Sequence, residues 1–295
     1  MTVLQVIRPA AIGVAVIGAG RAGMIHARHI SSGAIPGAEL AAVADPNTEG
    51  LQAAIDETGA PRAYSDWMDC MIDDAVHAVI IATPTSLHRD VAVAAAAHGK
   101  HLFCEKPMAM DAKQCDDMVA AAEAAGVLLQ IGFMRRFDAG FMAAKDRIDA
   151  GEIGEVVQVK SLTHGPATPQ AWMYDLQKSN GPLAEVSSHD IDTLRWFTGS
   201  EFTEVYAVGG NYRSPQARDD FPDFYDNVTL IARFANGKSY PGRSLRIRGR
   251  HSRVVCDGMV AQKEGACHRR RQGVGHRCPA ANWKMHLGQT PSVNG

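Results

Sequence analysis

An α/β fold is predicted for this chain: a doubly wound parallel sheet in the N-terminal part, then an α+β region with an open, mainly antiparallel and incomplete sheet. Three observations predict it. Short apolar runs alternate with helix-period segments between residues 12 and 131, the pattern of parallel strands joined by crossover helices. The first apolar run ends directly in Gly18-Ala19-Gly20-Arg21-Ala22-Gly23, a tight strand-to-helix junction. After about Arg136 the rhythm changes to strand candidates with few helices between them.

Ile12 to Ile17 is a continuous apolar run of buried-strand type, and Met24 to Ser31 has helical spacing. Glu39 to Ala44 is the next strand and ends at Asp45-Pro46, where proline breaks the run. A helix follows over Thr48 to Thr58. Ala78 to Ala82 is a strand running into the Thr83-Pro84 turn, and Asp90 to His98 is an alanine-rich helix. His101 to Cys104 is a strand that feeds Glu105-Lys106-Pro107, and a helix over Ala112 to Ala125, stopped by Gly126, leads into strand Val127 to Ile131. Beyond the change of rhythm come a helix over Ala139 to Ala150, strands over Val156 to Thr163, Glu204 to Val208 and Thr229 to Phe234, and one further helix, Ser188 to Phe197. These divide the chain into domains at 1–135 and 136–238, with an atypical segment at 239–295.

Length agrees with that division, because 295 residues suit two domains of ordinary size. With 46% hydrophobic and 21% charged residues, the composition is that of a globular protein and excludes fibrous and disordered classes. No run reaches the ~18–20 apolar residues of a membrane helix, and the first residues lack the pattern of a secretory signal, so a cytoplasmic location without membrane contact is expected. The six cysteines contain no CxxC pair and are too sparse for a disulfide scaffold. The formal charge of −2 conceals an asymmetry: residues 1–237 carry 18 Lys+Arg against 30 Asp+Glu, and residues 238–295 carry 12 against 2.

The spacing Gly-x-Gly-x-x-Gly has a physical reading. Gly18 allows the tight turn, Gly20 lets backbone approach a pyrophosphate, and Gly23 lets helix pack closely on strand, while the helix N-terminus meets the phosphate charge. Asp45 stands at the end of the second strand, 22 residues beyond Gly23, where a carboxylate accepts hydrogen bonds from ribose hydroxyls and repels a 2′-phosphate. NAD is therefore expected over NADP; the alternative is that Asp45 merely caps the following helix. Thr83, Pro84 and Ser86 leave a strand at the carboxyl edge, where such folds bind ligands. His88 follows them, as a cofactor contact or as a capping residue.

Oxidation of a secondary alcohol by hydride loss needs one group that holds the hydroxyl and another that moves its proton. Lys106 and His189 are the candidates. Singly, each has a plainer reading: a surface lysine beside a proline, and a core histidine on a helix that also buries Ile191, Leu194 and Trp196. Arriving with a nucleotide fingerprint, the pair favours the chemical reading. Glu185 precedes His189 by four residues, the spacing at which a carboxylate on the same helix face orients an imidazole. Asp192 is a candidate contact for a substrate hydroxyl, or an ordinary partner of Arg195. A small-molecule pocket needs a few placed polar groups around an apolar floor, and the segment from His164 to Tyr174, with Trp172, is a source of both. Arg135 and Arg136 either reach the ligands or form a charge pair between domains.

Gly18 to Gly23, Ala82-Thr-Pro-Thr-Ser-Leu-His88, Glu105-Lys106-Pro107 and Glu185-Val-Ser-Ser-His189-Asp-Ile-Asp192 together resemble the Gfo/Idh/MocA family, over approximately residues 10–237. The resemblance implies a Rossmann domain followed by an α/β domain whose open sheet carries the substrate pocket and the oligomer interface. It implies NAD-dependent oxidation of an inositol-like cyclitol or sugar, with Lys106 on the reacting oxygen and His189 as proton acceptor. Cofactor contacts would come from residues 18–23, Asp45, Thr83, Pro84, Ser86, His88, Glu105 and Lys106; substrate contacts from Lys106, His164, Trp172, His189 and Asp192. A homodimer or homotetramer is implied where the sheet is intact. Relatives more often carry aspartate at the position of Glu185.

Resemblance stops after Gly237. Residues 239–295 are rich in Arg, Gly, His and Cys and lack strand alternation. Either this is a basic disordered extension, or the natural reading frame is lost near Lys238; the abrupt change in every compositional respect favours the second, and no nucleic-acid partner is expected. The Cys and His spacings there match no zinc pattern, so no metal is predicted. The competing functional reading is a nucleotide-bound sensor, or an inactive truncated homologue, that has kept the fold without the reaction.

Overall fold

Val14 and Val16 point to one face of the first strand and Ala15 and Ile17 to the other, and all four are at most 7% exposed. A strand buried on both faces must lie inside a sheet covered by helices on each side. The computed structural model describes residues 11–163, 169, 171–236, 251–256 and 259–264. Its first part runs β1 (Ile12–Ile17), α1 (Arg21–Ser31), β2 (Ala38–Ala44), α2 (Thr48–Thr58), β3 (Ala63–Tyr64), α3 (Met68–Ile72), β4 (Ala78–Ile81), α4 (His88–Ala97), β5 (His101–Cys104), α5 (Ala112–Ala125) and β6 (Leu129–Ile131). These strands form one six-stranded sheet in the order β3-β2-β1-β4-β5-β6, parallel throughout.

Two cores follow from the alternation. Val14, Val16 and Ile80 pack with Met24, Ala27 and Ile30 of α1 and with Leu51 and Ala54 of α2. On the opposite face Ala15, Ile17, Val79 and Ile81 pack with Val91, Ala92 and Ala95 of α4 and with Met118 and Ala122 of α5. Each large apolar side chain so buried contributes about 1.5–3 kcal/mol. The order reverses between β1 and β4, which opens a crevice at their carboxyl ends.

Helix ends are set by local chemistry. Asn47 accepts hydrogen bonds from the amides of Glu49 and Gly50 at the start of α2, and Asp111 accepts one from Gln114 at the start of α5. Helix α1 begins at Arg21, directly after Gly20, earlier than its apolar spacing suggested; α4 begins at His88. The short β3 and α3 were not foreseen.

The second part contains α6 (Ala139–Asp149), β7 (Val156–Lys160), α7 (Gly181–Glu185), α8 (Ser188–Thr198), β8 (Phe202–Gly210), β9 (Asn227–Phe234), β10 (His251–Cys256) and β11 (Met259–Glu264). Strands β8 and β9 form an antiparallel pair, and β10-β11-β7 form an antiparallel three-stranded sheet. The pairing of β11 with β7 draws on the segment read as lacking strand alternation; the rest of 239–295 lies outside the described residues. So do residues 1–10 and His164. Helix α7 is also an addition, since a single further helix was expected after α6. No helix among the described residues is long and apolar enough to cross a membrane.

Candidate active site

The glycine-rich turn is built around two close approaches. Gly18 has φ +99°, and a Cβ there would lie 2.6 Å from the Ala82 carbonyl oxygen; at Gly23 a Cβ would lie 1.8 Å from the Gly18 oxygen. No side chain fits at either position. At Gly20 a Cβ would meet no atom within 4 Å, so the turn faces open space beside the first amides of α1. Those amides are donors without a side-chain cap. Together with the switch point of the sheet, this suits a dinucleotide pyrophosphate.

Asp45 spans the same crevice. Its Oδ2 accepts the Ala19 amide at 2.7 Å and its Oδ1 accepts the Asn47 amide at 2.8 Å, which leaves further lone pairs on both oxygens. Asn47, not Asp45, caps α2. At the end of β4 the Thr83 hydroxyl is buried without a hydrogen-bond partner, an unmet polar group at the sheet edge. Pro84 is exposed and Ser86 half-buried nearby.

His88 faces inward. It is 1% exposed, and its two ring nitrogens lie 2.9 Å from the carbonyl oxygens of Pro107 and Thr83. It joins the chain ends leaving β4 and β5, so the expected cofactor contact is replaced by a structural tie.

Lys106 leaves the end of β5, half-buried, and donates from Nζ to the backbone oxygen of Glu185 at 2.6 Å. Burial lowers its ammonium pKa from the ordinary value, against the opposing pull of Glu185 and Glu105. Glu105 is held by His26, whose Nε2 lies 2.7 Å from Oε1. Burial pushes that carboxyl up, but the His26 bond and charge, with Lys106, bring it below the usual carboxylate range. Cys104 beside it is no nucleophile, because burial raises its thiol strongly.

The expected orientation of His189 by Glu185 does not occur. Glu185 closes α7 and His189 lies in α8, so the two are not four residues apart on one helix. The buried Glu185 carboxylate instead accepts the Thr85 hydroxyl at 2.9 Å and the Asn180 amide at 3.4 Å. His189 packs edge-on against Phe133, with ring centroids 6.4 Å apart, and its Nδ1 is buried with no partner. Burial, reinforced by the charges of Lys106 and Arg135, lowers its pKa to about 4. The Ser188 hydroxyl is likewise buried and unpartnered.

Asp192 is not free to meet a substrate. It is 4% exposed and makes a two-pronged pair with Arg136, at 2.9 and 2.8 Å, while Arg195 pairs with Glu201. Arg135 similarly reaches Asp190 at 2.7 Å, whose Oδ1 also accepts the hydroxyls of Ser161 and Thr163. Both arginines lie in the helical turn Met134–Phe137 after β6, so this turn anchors α8 by two ion pairs. Trp172 lies half-buried in the turn Ala171–Met173. His26 lies in no motif, and Thr85 and Ser188, although inside the motifs, carried no assigned role; only their folded surroundings single them out.

Residues 12–133 match the family model described as "Oxidoreductase family, NAD-binding Rossmann fold", and residues 141–244 match the GFO/IDH/MocA C-terminal domain. The chain belongs to the Gfo/Idh/MocA oxidoreductase family. It is 37% identical over 201 residues to the scyllo-inositol 2-dehydrogenase (NAD(+)) of Bacillus subtilis, covering 68% of this chain and 58% of that protein. It is 33% identical to the myo-inositol 2-dehydrogenase of Thermotoga maritima, covering 76% and 65% respectively. The crystal structure of scyllo-inositol dehydrogenase from Lactobacillus casei with bound NAD(H) and scyllo-inositol superimposes with a TM-score of 0.68 at 31% identity, over 77% of this chain and 67% of that one. The chain thus spans about three-fifths of the length of the two curated relatives.

Proposed function

We propose that this chain is an NAD-dependent oxidoreductase that moves a hydride between a secondary alcohol of an inositol-like cyclitol or sugar and the nicotinamide. Residues 1–135 form the nucleotide domain and 136–238 the substrate domain. Residues 18–23 and Asp45 hold the dinucleotide, with Thr83, Pro84, Ser86 and Glu105 along the sheet edge. The nicotinamide, when bound, supplies the hydride acceptor. Lys106 donates a hydrogen bond to the reacting oxygen, and His189 takes the hydroxyl proton. A histidine whose pKa is lowered to about 4 is a free base at neutral pH and can accept that proton. Trp172 is a candidate polyol contact, as is His164, which lies outside the described residues, and Glu185 contributes by fixing Lys106 through its backbone oxygen. The exposed β8 side chains Val205, Tyr206 and Val208 support assembly into a homodimer or homotetramer through the open sheet.

The observation that carries the reading is the 2.6 Å bond from Lys106 Nζ to the Glu185 backbone oxygen, which ties the end of β5 to the segment that leads, four residues on, to His189. Relatives named for inositol oxidation with NAD support the substrate class. The test is to mix the chain with NAD or NADP and a panel of cyclitols and sugars, and to follow absorbance of the reduced nicotinamide. Turnover with an inositol and NAD is the expected result. Nucleotide binding without turnover of any member would favour the sensor reading instead.

A further inference from the structure

We propose that His26 is a positioning residue for Lys106 and acts through Glu105. The inference rests on the reading of Lys106 as the group that meets the reacting oxygen. His26 lies in the second turn of α1, the helix whose first amides face the glycine-rich turn. Its Nε2 donates to Glu105 Oε1 at 2.7 Å, and the other oxygen of the same carboxylate accepts the backbone amide of Lys106 at 3.3 Å. One carboxylate therefore joins the nucleotide helix to the backbone of the lysine.

This pair differs from an ordinary surface contact, which contributes little. The side chains of His26 and Glu105 are 23% and 22% exposed. The imidazole also stands edge-on to Phe103, with ring centroids 5.2 Å apart, so its plane is set by packing on β5. Space for the carboxylate is reserved by Gly132, where a Cβ would lie 3.2 Å from both Glu105 Oε2 and the Phe103 ring. Catalytic geometry tolerates little error, and a group misplaced by about 1 Å can cost on the order of 100-fold in rate. A fixed backbone at Lys106 is what this arrangement supplies, and it sets the lysine relative to the helix that seats the nucleotide.

The test compares His26→Ala and His26→Gln in the full chain; the amide nitrogen of glutamine can replace Nε2 as donor. With NAD and an inositol, His26→Ala is expected to lower kcat by about 10- to 100-fold while KM for NAD and the affinity for NADH change by less than about twofold, and His26→Gln recovers most of kcat. A second readout needs no turnover: acetylation of Lys106 by acetic anhydride, followed by peptide mass spectrometry with Lys113, 82% exposed, as internal standard. Its rate changes by more than about threefold in His26→Ala and returns in His26→Gln, as expected for a lysine whose backbone has lost its anchor. Should His26→Ala fail to fold, His26→Leu preserves the packing on Phe103 and replaces it in both measurements. The proposal is overturned if the variant keeps wild-type kcat and labelling, if His26→Gln is as impaired as His26→Ala, or if NADH affinity falls in step with kcat. A wild-type chain that oxidises no polyol would defeat the functional reading, and the labelling experiment would still decide the role of His26.

Discussion

Lys106 reaches across 79 positions of sequence to donate its ammonium to the backbone oxygen of Glu185 at 2.6 Å. The bond fixes the lysine with an acceptor that carries no titratable charge of its own. The neighbouring Glu185 carboxylate is engaged elsewhere, by Thr85 and Asn180.

Replacing Lys106 by alanine or methionine is expected to lower kcat by about 10²–10³-fold, the range typical of a lost donor to the reacting oxygen. NADH affinity, measured by fluorescence titration, should stay within about threefold, because the glycine-rich turn and Asp45 are untouched. Unchanged turnover would remove Lys106 from the chemistry.

The lowered pKa of His189 makes a statement about stability. The native imidazole resists protonation down to about pH 4, whereas the unfolded one titrates near its ordinary 6.5. Its contribution is complete above pH 6.5 and is lost progressively as pH falls from 6.5 towards 4, by on the order of 2–3 kcal/mol. Urea unfolding at pH 4 and pH 7 should therefore show a smaller acid loss in His189→Asn than in the parent chain. Equal losses in the two would mean that the histidine is not the group responsible.

Arg135 and Asp190 are 15% and 9% exposed, so removing one partner strands a charge. Arg135→Met is expected to cost about 3 kcal/mol in denaturant unfolding, and Arg135→Met with Asp190→Leu should cost less than the single change, since the stranded carboxylate goes with it. An additive double variant would contradict the pairing. Arg135 stacks over the Phe141 ring at 5.2 Å, a contact that methionine partly keeps.

Asp45→Ser should shift the ratio of kcat/KM for NAD over NADP towards NADP by at least about tenfold, because it removes the charge that repels a 2′-phosphate. The two amides that Asp45 now holds, from Ala19 and Asn47, predict some loss of NAD affinity in the same variant.

The parallel sheet was legible because its strands are short apolar runs that stop at polar or turn residues: β1, stopped at Gly18, and β5, stopped at Glu105, keep their sequence-derived limits, as do α2 and α5. Elements too short to show a period were not legible, among them the two-residue β3 and the five-residue α3 and α7. Site partners were hidden for a different reason. Asp192 has Arg195 three residues on along its own helix, but its partner is Arg136, 56 positions upstream. Glu185 was assigned to His189 by helical spacing, and a break between α7 and α8 gave it to Thr85, 100 positions away. Motifs report which residues matter; which neighbour each one holds is decided by tertiary closure.

That closure has an order in time. All six strands of the parallel sheet pair within residues 12–131, so the edge that faces the nucleotide is assembled from connections of moderate length. The Thr85–Glu185 bond closes a loop of 100 residues, and loop-closure entropy must be overcome before such a contact returns any energy. A chain that emerges N-terminus first therefore acquires its dinucleotide cradle while the helix that bears His189 is still being made. The glycine-rich turn and the helix of His189, the two halves of the proposed site, are thus completed at different stages of synthesis.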